Sequence, residues 1–124
     1  MRILIVDDHE PMRKIIKNIL RQAGLEDLDE SPDGKDAIMK LKEKSFDLVL
    51  LDWNMPGMNG LEVLKTMKSD QRLKDVPVIM VTAESSREKI IEAINFGVSD
   101  YIVKPFTGEV LKKKIESVTS RSKK

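Results

Sequence analysis

The chain contains no cysteine, which excludes disulfide bonds and thiolate chemistry and suits a reducing compartment. It also lacks an excess of charge, because 22 Lys and Arg residues against 21 Asp and Glu residues leave a net charge of +1. That balance removes the usual reason to propose nucleic acid or an anionic membrane as a partner. No apolar run is long enough to span a membrane, and residues 1–2 lead into a strand rather than a signal peptide. We therefore expect a cytoplasmic protein without membrane insertion.

Short apolar runs alternate with amphipathic stretches along the 124 residues, which predicts one domain over 1–124 of the α/β class. The expected architecture is a five-stranded parallel sheet with helices on both faces. The second strand is polar, so we place it at a sheet edge. Residues 121–124 are expected to be a solvated, fraying end. The predicted strands are 2–7, 27–31, 46–52, 76–82 and 100–104, and the predicted helices are 11–23, 34–44, 60–69, 85–96 and 107–120.

Each predicted helix carries an apolar stripe that indicates its buried face. Gly24 and Gly97 are expected to end the first and fourth helices, Gly24 as a left-handed cap. In chain order the stripes are Met12, Ile15, Ile16, Ile19, Leu20 and Ala23; Ala37, Ile38 and Leu41; Leu61, Leu64 and Met67; Ile90, Ile91, Ala93 and Ile94; and Val110, Leu111, Ile115 and Val118.

Four of the predicted strands end in polar side chains. Asp7-Asp8 closes the first strand, Asp52 the third, Thr82 the fourth and Lys104 the fifth. Ligands of open α/β sheets bind at the carboxyl ends of the strands. The pattern therefore predicts a single acidic pocket that also contains a hydroxyl and an ammonium group.

Three carboxylates in one pocket repel one another by about 4 kcal/mol for each close pair at an effective dielectric near 20. Such a cluster binds protons or a cation, and oxygen ligands with open positions favour Mg²⁺. The single histidine, His9, and the lack of cysteine argue against zinc. The alternative for Asp7-Asp8 is that one of the two acids only caps the first helix.

Asp52 opens a turn that contains two glycines, so the backbone there can approach a ligand. An ordinary strand-to-helix loop is the alternative, but it does not explain a costly carboxylate at the end of a buried strand. A carboxylate beside a divalent cation can act as a nucleophile toward a phosphoryl group. Lys104 can neutralise a phosphoryl oxygen, with Pro105 in a cis bond, or it can be a plain exposed lysine. Thr82 can donate to a phosphoryl oxygen or satisfy a backbone group, and Tyr101 alone suggests packing.

Together these motifs resemble the receiver domain of two-component response regulators, particularly the stand-alone chemotaxis regulators of that family. The resemblance covers essentially the whole chain, with all motifs in order. The motifs are Asp7-Asp8, Asp52-Trp53-Asn54-Met55-Pro56-Gly57, Thr82-Ala83-Glu84 and Tyr101-Ile102-Val103-Lys104-Pro105-Phe106.

The resemblance implies a flavodoxin-like (βα)5 fold with strand order 2-1-3-4-5. It also implies that Asp52 is the phosphoacceptor and takes a phosphoryl group from the phosphohistidine of a histidine kinase. Mg²⁺, with Mn²⁺ as the alternative ion, is then held by the side chains of Asp8 and Asp52. Asp7 acts through a water molecule and Asn54 through its backbone carbonyl.

By the same resemblance, Lys104 and Thr82 grip the phosphoryl oxygens, and Tyr101 changes rotamer as Thr82 moves inward. The signalling face covers about residues 85–118. The implied partners are the histidine kinase, a downstream target such as a flagellar switch protein, and a phosphatase. The protein is expected not to be an enzyme beyond its own phosphorylation and dephosphorylation.

Other functions stay open at this stage. The chain can be the receiver of a multidomain or non-chemotaxis regulator, or a pseudo-receiver that only docks partners. A phosphatase of the haloacid dehalogenase type needs an acid two residues beyond the nucleophile, where this chain has Asn54. A nucleotide-binding module needs a glycine-rich phosphate loop, and none follows a predicted strand.

Overall fold

The computed structural model describes residues 1–122, in which five strands alternate with five helices. The predicted elements are all present, although each of the five strands is shorter than expected. In chain order the elements are β1 (Ile3–Val6), α1 (Glu10–Gln22), β2 (Leu28–Ser31), α2 (Gly34–Glu43), β3 (Leu48–Leu51), α3 (Gly60–Lys68), β4 (Val78–Thr82), α4 (Arg87–Asn95), β5 (Asp100–Val103) and α5 (Gly108–Ser122).

All neighbouring strands pair in parallel, in the order β2-β1-β3-β4-β5. This confirms the predicted fold class, the strand order and the edge position of the polar second strand. Val6 of β1 lies in register with Leu51 of β3. Since the strands point the same way, the residues that follow Val6 and Leu51 leave the sheet side by side.

The sheet separates two apolar layers because successive side chains of a strand point to opposite faces. Ile3 and Ile5 of β1 face α1 and α5, whereas Leu4 and Val6 face α2, α3 and α4. Full burial of each such side chain stabilises the fold by about 1.5–3 kcal/mol. The strands are therefore held rigidly from both sides, and their carboxyl ends have fixed positions.

Several residues of the predicted apolar stripes are not buried. The expectation is wrong for Ala23 and Ile15 of the first helical stretch, for Ile91 and Ile94 of α4, and for Val110 of α5. A helix turns roughly 100° per residue, so Ile91 and Ile94 lie well away from Ala93, the buried residue of α4. Ile94 is 56% exposed and Ile15 is 50% exposed. The apolar stripe of each of these helices therefore includes residues that do not pack against the sheet.

The helix ends follow local chemistry. Gly24 has φ of +86°, which confirms the left-handed end predicted for the first helix. Gly97, with φ of +94°, follows α4, where the end of the fourth helix was predicted. α4 begins at Arg87 rather than near residue 85, because the Ser86 hydroxyl accepts from the Lys89 backbone N–H as an N-cap. Helix α5 continues to Ser122, so residues 121–122 of the predicted fraying end are helical, and residues 123–124 lie outside the described part.

Among residues 1–122, none of the helices has the length and apolar character that a membrane crossing requires.

The polar edge strand β2 is tied to α1 by charge. The carboxylate of Glu30 binds the Lys17 ammonium at 2.6 Å and the Arg13 guanidinium at 2.9 Å. The hydrogen bond from Lys17 lowers the pKa of Glu30, burial opposes this, and Arg13 lowers it further. The folded state therefore binds a proton at Glu30 less readily than the unfolded chain does.

The lowered pKa of Glu30 predicts how the stability of the fold depends on pH. The contribution of Glu30 is complete above its ordinary pKa of 4.5 and fades as the pH falls through the lower folded value. We expect Glu30→Gln to lower the free energy of unfolding by about 1 kcal/mol at neutral pH, since the ion pairs are partly exposed. In urea denaturation the difference should shrink in acid. Glu43→Gln, at an exposed site on α2, is the control, and an equal loss for Glu30→Gln at both pH values would contradict the argument.

Candidate functional site

Three carboxylates meet at the carboxyl edge of the sheet. Asp7 and Asp8 follow β1, Asp52 follows β3, and each offers an oxygen atom within 4.8 Å of the others. Asp7 is 1% exposed and Asp52 is 7% exposed, whereas Asp8 is open to solvent. The register of β1 and β3 produces this cluster, since it sets Asp7 and Asp52 next to each other at the sheet edge.

The ammonium of Lys104 bridges the two buried acids. It lies 2.8 Å from Asp7 Oδ2 and 3.3 Å from Asp52 Oδ2. Burial alone lowers the pKa of Lys104, but the hydrogen bond to Asp7 and the charge of Asp52 outweigh burial and raise the pKa above its usual value. The lysine is therefore a fixed cation and not a plain exposed one. Its bond to Pro105 is cis.

The loop after β3 holds Asp52 through its backbone. The N–H of Asn54 donates to Asp52 Oδ1 at 3.3 Å, which keeps the Asn54 peptide beside the carboxylate. Gly60 packs against the start of the same loop, where an added Cβ would lie 2.2 Å from the Asp52 carbonyl oxygen. This part of the chain therefore requires glycine at position 60, because a larger residue would collide with the backbone of Asp52.

The structure excludes helix capping as the role of the acid pair. The N-cap of α1 is His9, and its side chain makes no capping hydrogen bond. Asp7 Oδ1 instead accepts from the His9 backbone N–H at 2.9 Å, and Asp7 Oδ2 is used by Lys104. Asp8, between Asp7 and His9, is exposed, and one of its carboxylate oxygens lies within 4.8 Å of those of Asp7 and Asp52.

Thr82 and Tyr101 both contact the backbone of Glu84. The buried Thr82 Oγ1 accepts from the Glu84 N–H at 3.2 Å, and the Tyr101 hydroxyl donates to the Glu84 carbonyl at 2.7 Å. Burial raises the pKa of Tyr101 to about 12, assisted by the negative charges of Glu84 and Asp52. The tyrosine stays a neutral hydrogen-bond donor, and it is joined to the segment that follows β4.

Two basic residues near the site were missed by sequence reasoning. Arg13 Nη1 donates to the Asp7 carbonyl oxygen at 2.6 Å, and Lys89 Nζ lies 5.1 Å from the centre of the Trp53 ring. Neither belongs to a motif used in the sequence analysis. The available indication for Arg13 was a basic residue one turn into the helix that follows the acid pair.

The donor set fits a hard divalent cation. All the ligands offered are carboxylate oxygens, which Mg²⁺ prefers over nitrogen or sulfur. Two of them are buried and held by hydrogen bonds, while the exposed Asp8 leaves one side open to water molecules. The site therefore combines fixed ligands with open coordination positions, as Mg²⁺ sites do.

The chain resembles known proteins in both sequence and structure. Residues 3–116 match the family model described as the response regulator receiver domain. The chain is 52% identical to the chemotaxis protein CheY of Pseudomonas aeruginosa, over 98% of both chains. It is 51% identical to chemotaxis protein CheY-3 of Vibrio cholerae, over 98% of this chain and 93% of that protein.

Solved structures of response regulators have the same fold as this chain. Chemotaxis response regulator CheY4 of Vibrio cholerae superposes with a TM-score of 0.87 at 35% identity, covering 94% of this chain and 97% of that one. A CheY-like receiver domain protein from Methanospirillum hungatei gives 0.90 at 30% identity, covering 98% and 95%. The predicted likeness to chemotaxis regulators is confirmed. The chain belongs to the response regulator receiver domain family, the phosphoaccepting regulators of two-component signalling.

Proposed function

We propose that Asp52 accepts a phosphoryl group from the phosphohistidine of a histidine kinase, with Mg²⁺ in the acid cluster. The observation that carries the proposal is the Lys104 ammonium between Asp7 and Asp52, in a cluster whose three carboxylates approach within 4.8 Å. The side chains of Asp8 and Asp52 would hold the ion, with Asp7 acting through water and Asn54 through its backbone carbonyl. Mn²⁺ has the same ligand preference and is the alternative ion.

In the transfer step an oxygen of Asp52 attacks phosphorus, the P–N bond to the kinase histidine breaks, and the departing imidazole nitrogen takes up a proton. Bound Mg²⁺ supplies positive charge to the phosphoryl oxygens. Lys104 is already held at Asp52 and stabilises the same oxygens as they gain charge. Attack of water on phosphorus later releases phosphate and restores Asp52.

Phosphorylation then shifts a conformational equilibrium. It adds a charge of about −1.5 to −2 and new acceptor oxygens at Asp52. Thr82 donates its hydroxyl to one of these oxygens, which pulls on the segment that Tyr101 grips at the Glu84 carbonyl. Two states that differ in these contacts are biased by the phosphoryl group, and Tyr101 changes rotamer between them.

The output is the surface of α4, β5 and α5, within residues 85–118. Apolar side chains are exposed there without an obvious need in a monomer, namely Ile91, Ile94, Phe96, Val103 and Val110. A depression of about 430 Å³ is lined by Val103, Phe106 and Val110, among others. Such a surface suits a partner that binds through apolar contacts.

The favoured pathway is chemotaxis, with a flagellar switch protein as target and a phosphatase that ends the signal. Support comes from the relatives that carry the name chemotaxis protein and are matched over 98% and 93% of their own length. We propose that the chain acts as a receiver domain in the cytoplasm, as its similarity to these chemotaxis proteins implies. The alternative is a receiver in another pathway, since the receiver domain of a histidine kinase from Syntrophus aciditrophicus also superposes with a TM-score of 0.88 at 28% identity, covering 96% of this chain and 89% of that one.

An enzyme acting on a separate substrate is disfavoured. Asn54 stands two residues beyond Asp52, where a phosphatase of the haloacid dehalogenase type needs an acid–base carboxylate. An amide cannot shuttle that proton. We propose self-phosphorylation and self-dephosphorylation only, and sustained phosphatase turnover would contradict this.

Asp52→Asn is expected to abolish formation of the acid-stable, base-labile acyl phosphate, because an amide is not a competent nucleophile. The measurement is radiolabel transfer from a phosphorylated histidine kinase or a small acyl phosphate donor. Asp75→Asn, at an exposed carboxylate before β4, is the matched control and should keep full labelling. Retention of label by Asp52→Asn would overturn the assignment of the phosphoacceptor.

Mg²⁺ is expected to change the fluorescence of Trp53, the single tryptophan, which is 3% exposed and directly follows Asp52. The change should saturate with added Mg²⁺. Asp8→Asn should weaken the response, because it removes the charge of an exposed ligand without opening a cavity. A flat titration of the unaltered protein up to tens of millimolar would count against the metal site.

Ile94→Asp is expected to weaken binding of the phosphorylated protein to a flagellar switch protein by roughly ten-fold or more, the usual loss at an interface hot spot. Labelling of Asp52 by a small donor should be unchanged, since α4 does not supply the acid cluster. Ile15→Asp, at a similarly exposed isoleucine on α1, is the control. Equal losses in both variants, or none in Ile94→Asp, would remove α4 from the binding surface.

A further inference from the structure

Arg13 joins the acid cluster to the edge strand. Its Nη1 donates to the backbone carbonyl of Asp7 at 2.6 Å, and its Nε donates to Glu30 Oε1 at 2.9 Å. The side chain is only 13% exposed, and the second oxygen of Glu30 is occupied by Lys17 at 2.6 Å. Glu30 therefore holds the Arg13 guanidinium in place, and the guanidinium in turn binds the Asp7 carbonyl.

The carbonyl that Arg13 binds belongs to the peptide that joins Asp7 to Asp8. Because a peptide is planar, fixing this oxygen also fixes the N–H of Asp8 and the direction in which the chain enters that residue. Among the described contacts of Asp7, the bond from Arg13 is the one that holds this carbonyl oxygen. The N–H of Asp7 bonds to the Ser31 carbonyl and its carboxylate bonds to Lys104, and these contacts constrain Asp7 itself. The bond from the His9 N–H to the Asp7 carboxylate closes a turn across Asp8, but it does not hold the carbonyl oxygen of the Asp7–Asp8 peptide.

Asp8 needs such a constraint more than its neighbours do. It lies beyond the end of β1, its side chain is exposed, and no ladder hydrogen bond of the sheet reaches it. Asp7 and Asp52, in contrast, are buried against Lys104. The direction of the Asp8 carboxylate therefore depends on the backbone that presents it.

We propose that Arg13 is a positioning residue, which aims the Asp8 carboxylate at the cation site. Its guanidinium, held by Glu30, clamps the carbonyl of the Asp7–Asp8 peptide. The inference rests on the proposed function, because it concerns the Mg²⁺ site of that function. Mutation of outer groups that orient metal ligands typically weakens metal affinity by about 10–100-fold.

Charge and geometry predict opposite effects, which makes the proposal testable. The guanidinium is a positive charge next to a cation site, so its removal by itself should tighten Mg²⁺ binding. Loss of the clamp should weaken binding. Arg13→Lys keeps the charge but lacks the planar fork that serves two acceptors at once, and it isolates the geometric effect.

The experiment is a Mg²⁺ titration followed by Trp53 fluorescence and by calorimetry, on the unaltered protein and on Arg13→Lys, Arg13→Met and Lys17→Met. Arg13→Lys should bind Mg²⁺ roughly ten-fold more weakly. Arg13→Met should also bind it more weakly, but by a smaller factor, because loss of the positive charge offsets part of the loss of the clamp. Lys17→Met should stay within about two-fold, since Lys17 shares Glu30 but does not touch Asp7. Urea denaturation of each variant checks that the folded state is populated throughout.

The outcomes separate the two proposals. Unaltered affinity in Arg13→Lys, or tighter binding in Arg13→Met, would overturn the role of Arg13 while the phosphoacceptor function stands. Equal weakening in Lys17→Met would assign the effect to the stability of β2 and would also overturn it. A flat titration of the unaltered protein would instead refute the metal site on which both proposals rest.

Discussion

Crowding of like charge at one edge of the sheet is the constraint that organises this protein. Asp7 and Asp52 are almost fully buried, their carboxylates repel, and burial of a charge without a partner is costly. The ammonium of Lys104 offsets both charges by lying between them. A site balanced by one lysine remains responsive, because a divalent cation or a phosphoryl group changes the local charge by more than the lysine supplies.

The sheet and its apolar layers hold these charged groups in place. Apolar layers on both faces hold β1, β3 and β5 in register, so the groups at their ends are pre-positioned before any ligand binds. Neighbouring backbone contacts refine the placement: Gly60 lets its loop pass directly against the Asp52 carbonyl, and Arg13 holds the Asp7 carbonyl from α1. Pre-organised polar groups cost little reorganisation when charge develops.

The acid cluster and the output surface are connected through few contacts. Tyr101 and Thr82 both hold the backbone of Glu84, and α4 begins just beyond it at Arg87. Lys89 of α4 lies over the ring of Trp53, next to Asp52. Helix α4 contributes one buried residue, Ala93, to the core, and its Ile91 and Ile94 are exposed. In the proposed switch, a change of charge at Asp52 would reach α4 through these contacts.

The sequence by itself determined the alternation of strands and helices, the polar residues at the strand ends and the family, because these depend on local patterns and on motif spacing. It did not reveal which residues of a stripe touch the sheet, as Ile91 and Ile94 show, since helix placement depends on packing with neighbours. It also did not reveal the hydrogen bonds of Arg13 to the Asp7 carbonyl and to Glu30, or the hydrogen bond of Tyr101 to the Glu84 carbonyl. Tertiary structure decided these contacts because each joins separate elements, and their distances depend on the pairing of the strands and on the packing of the helices against the sheet.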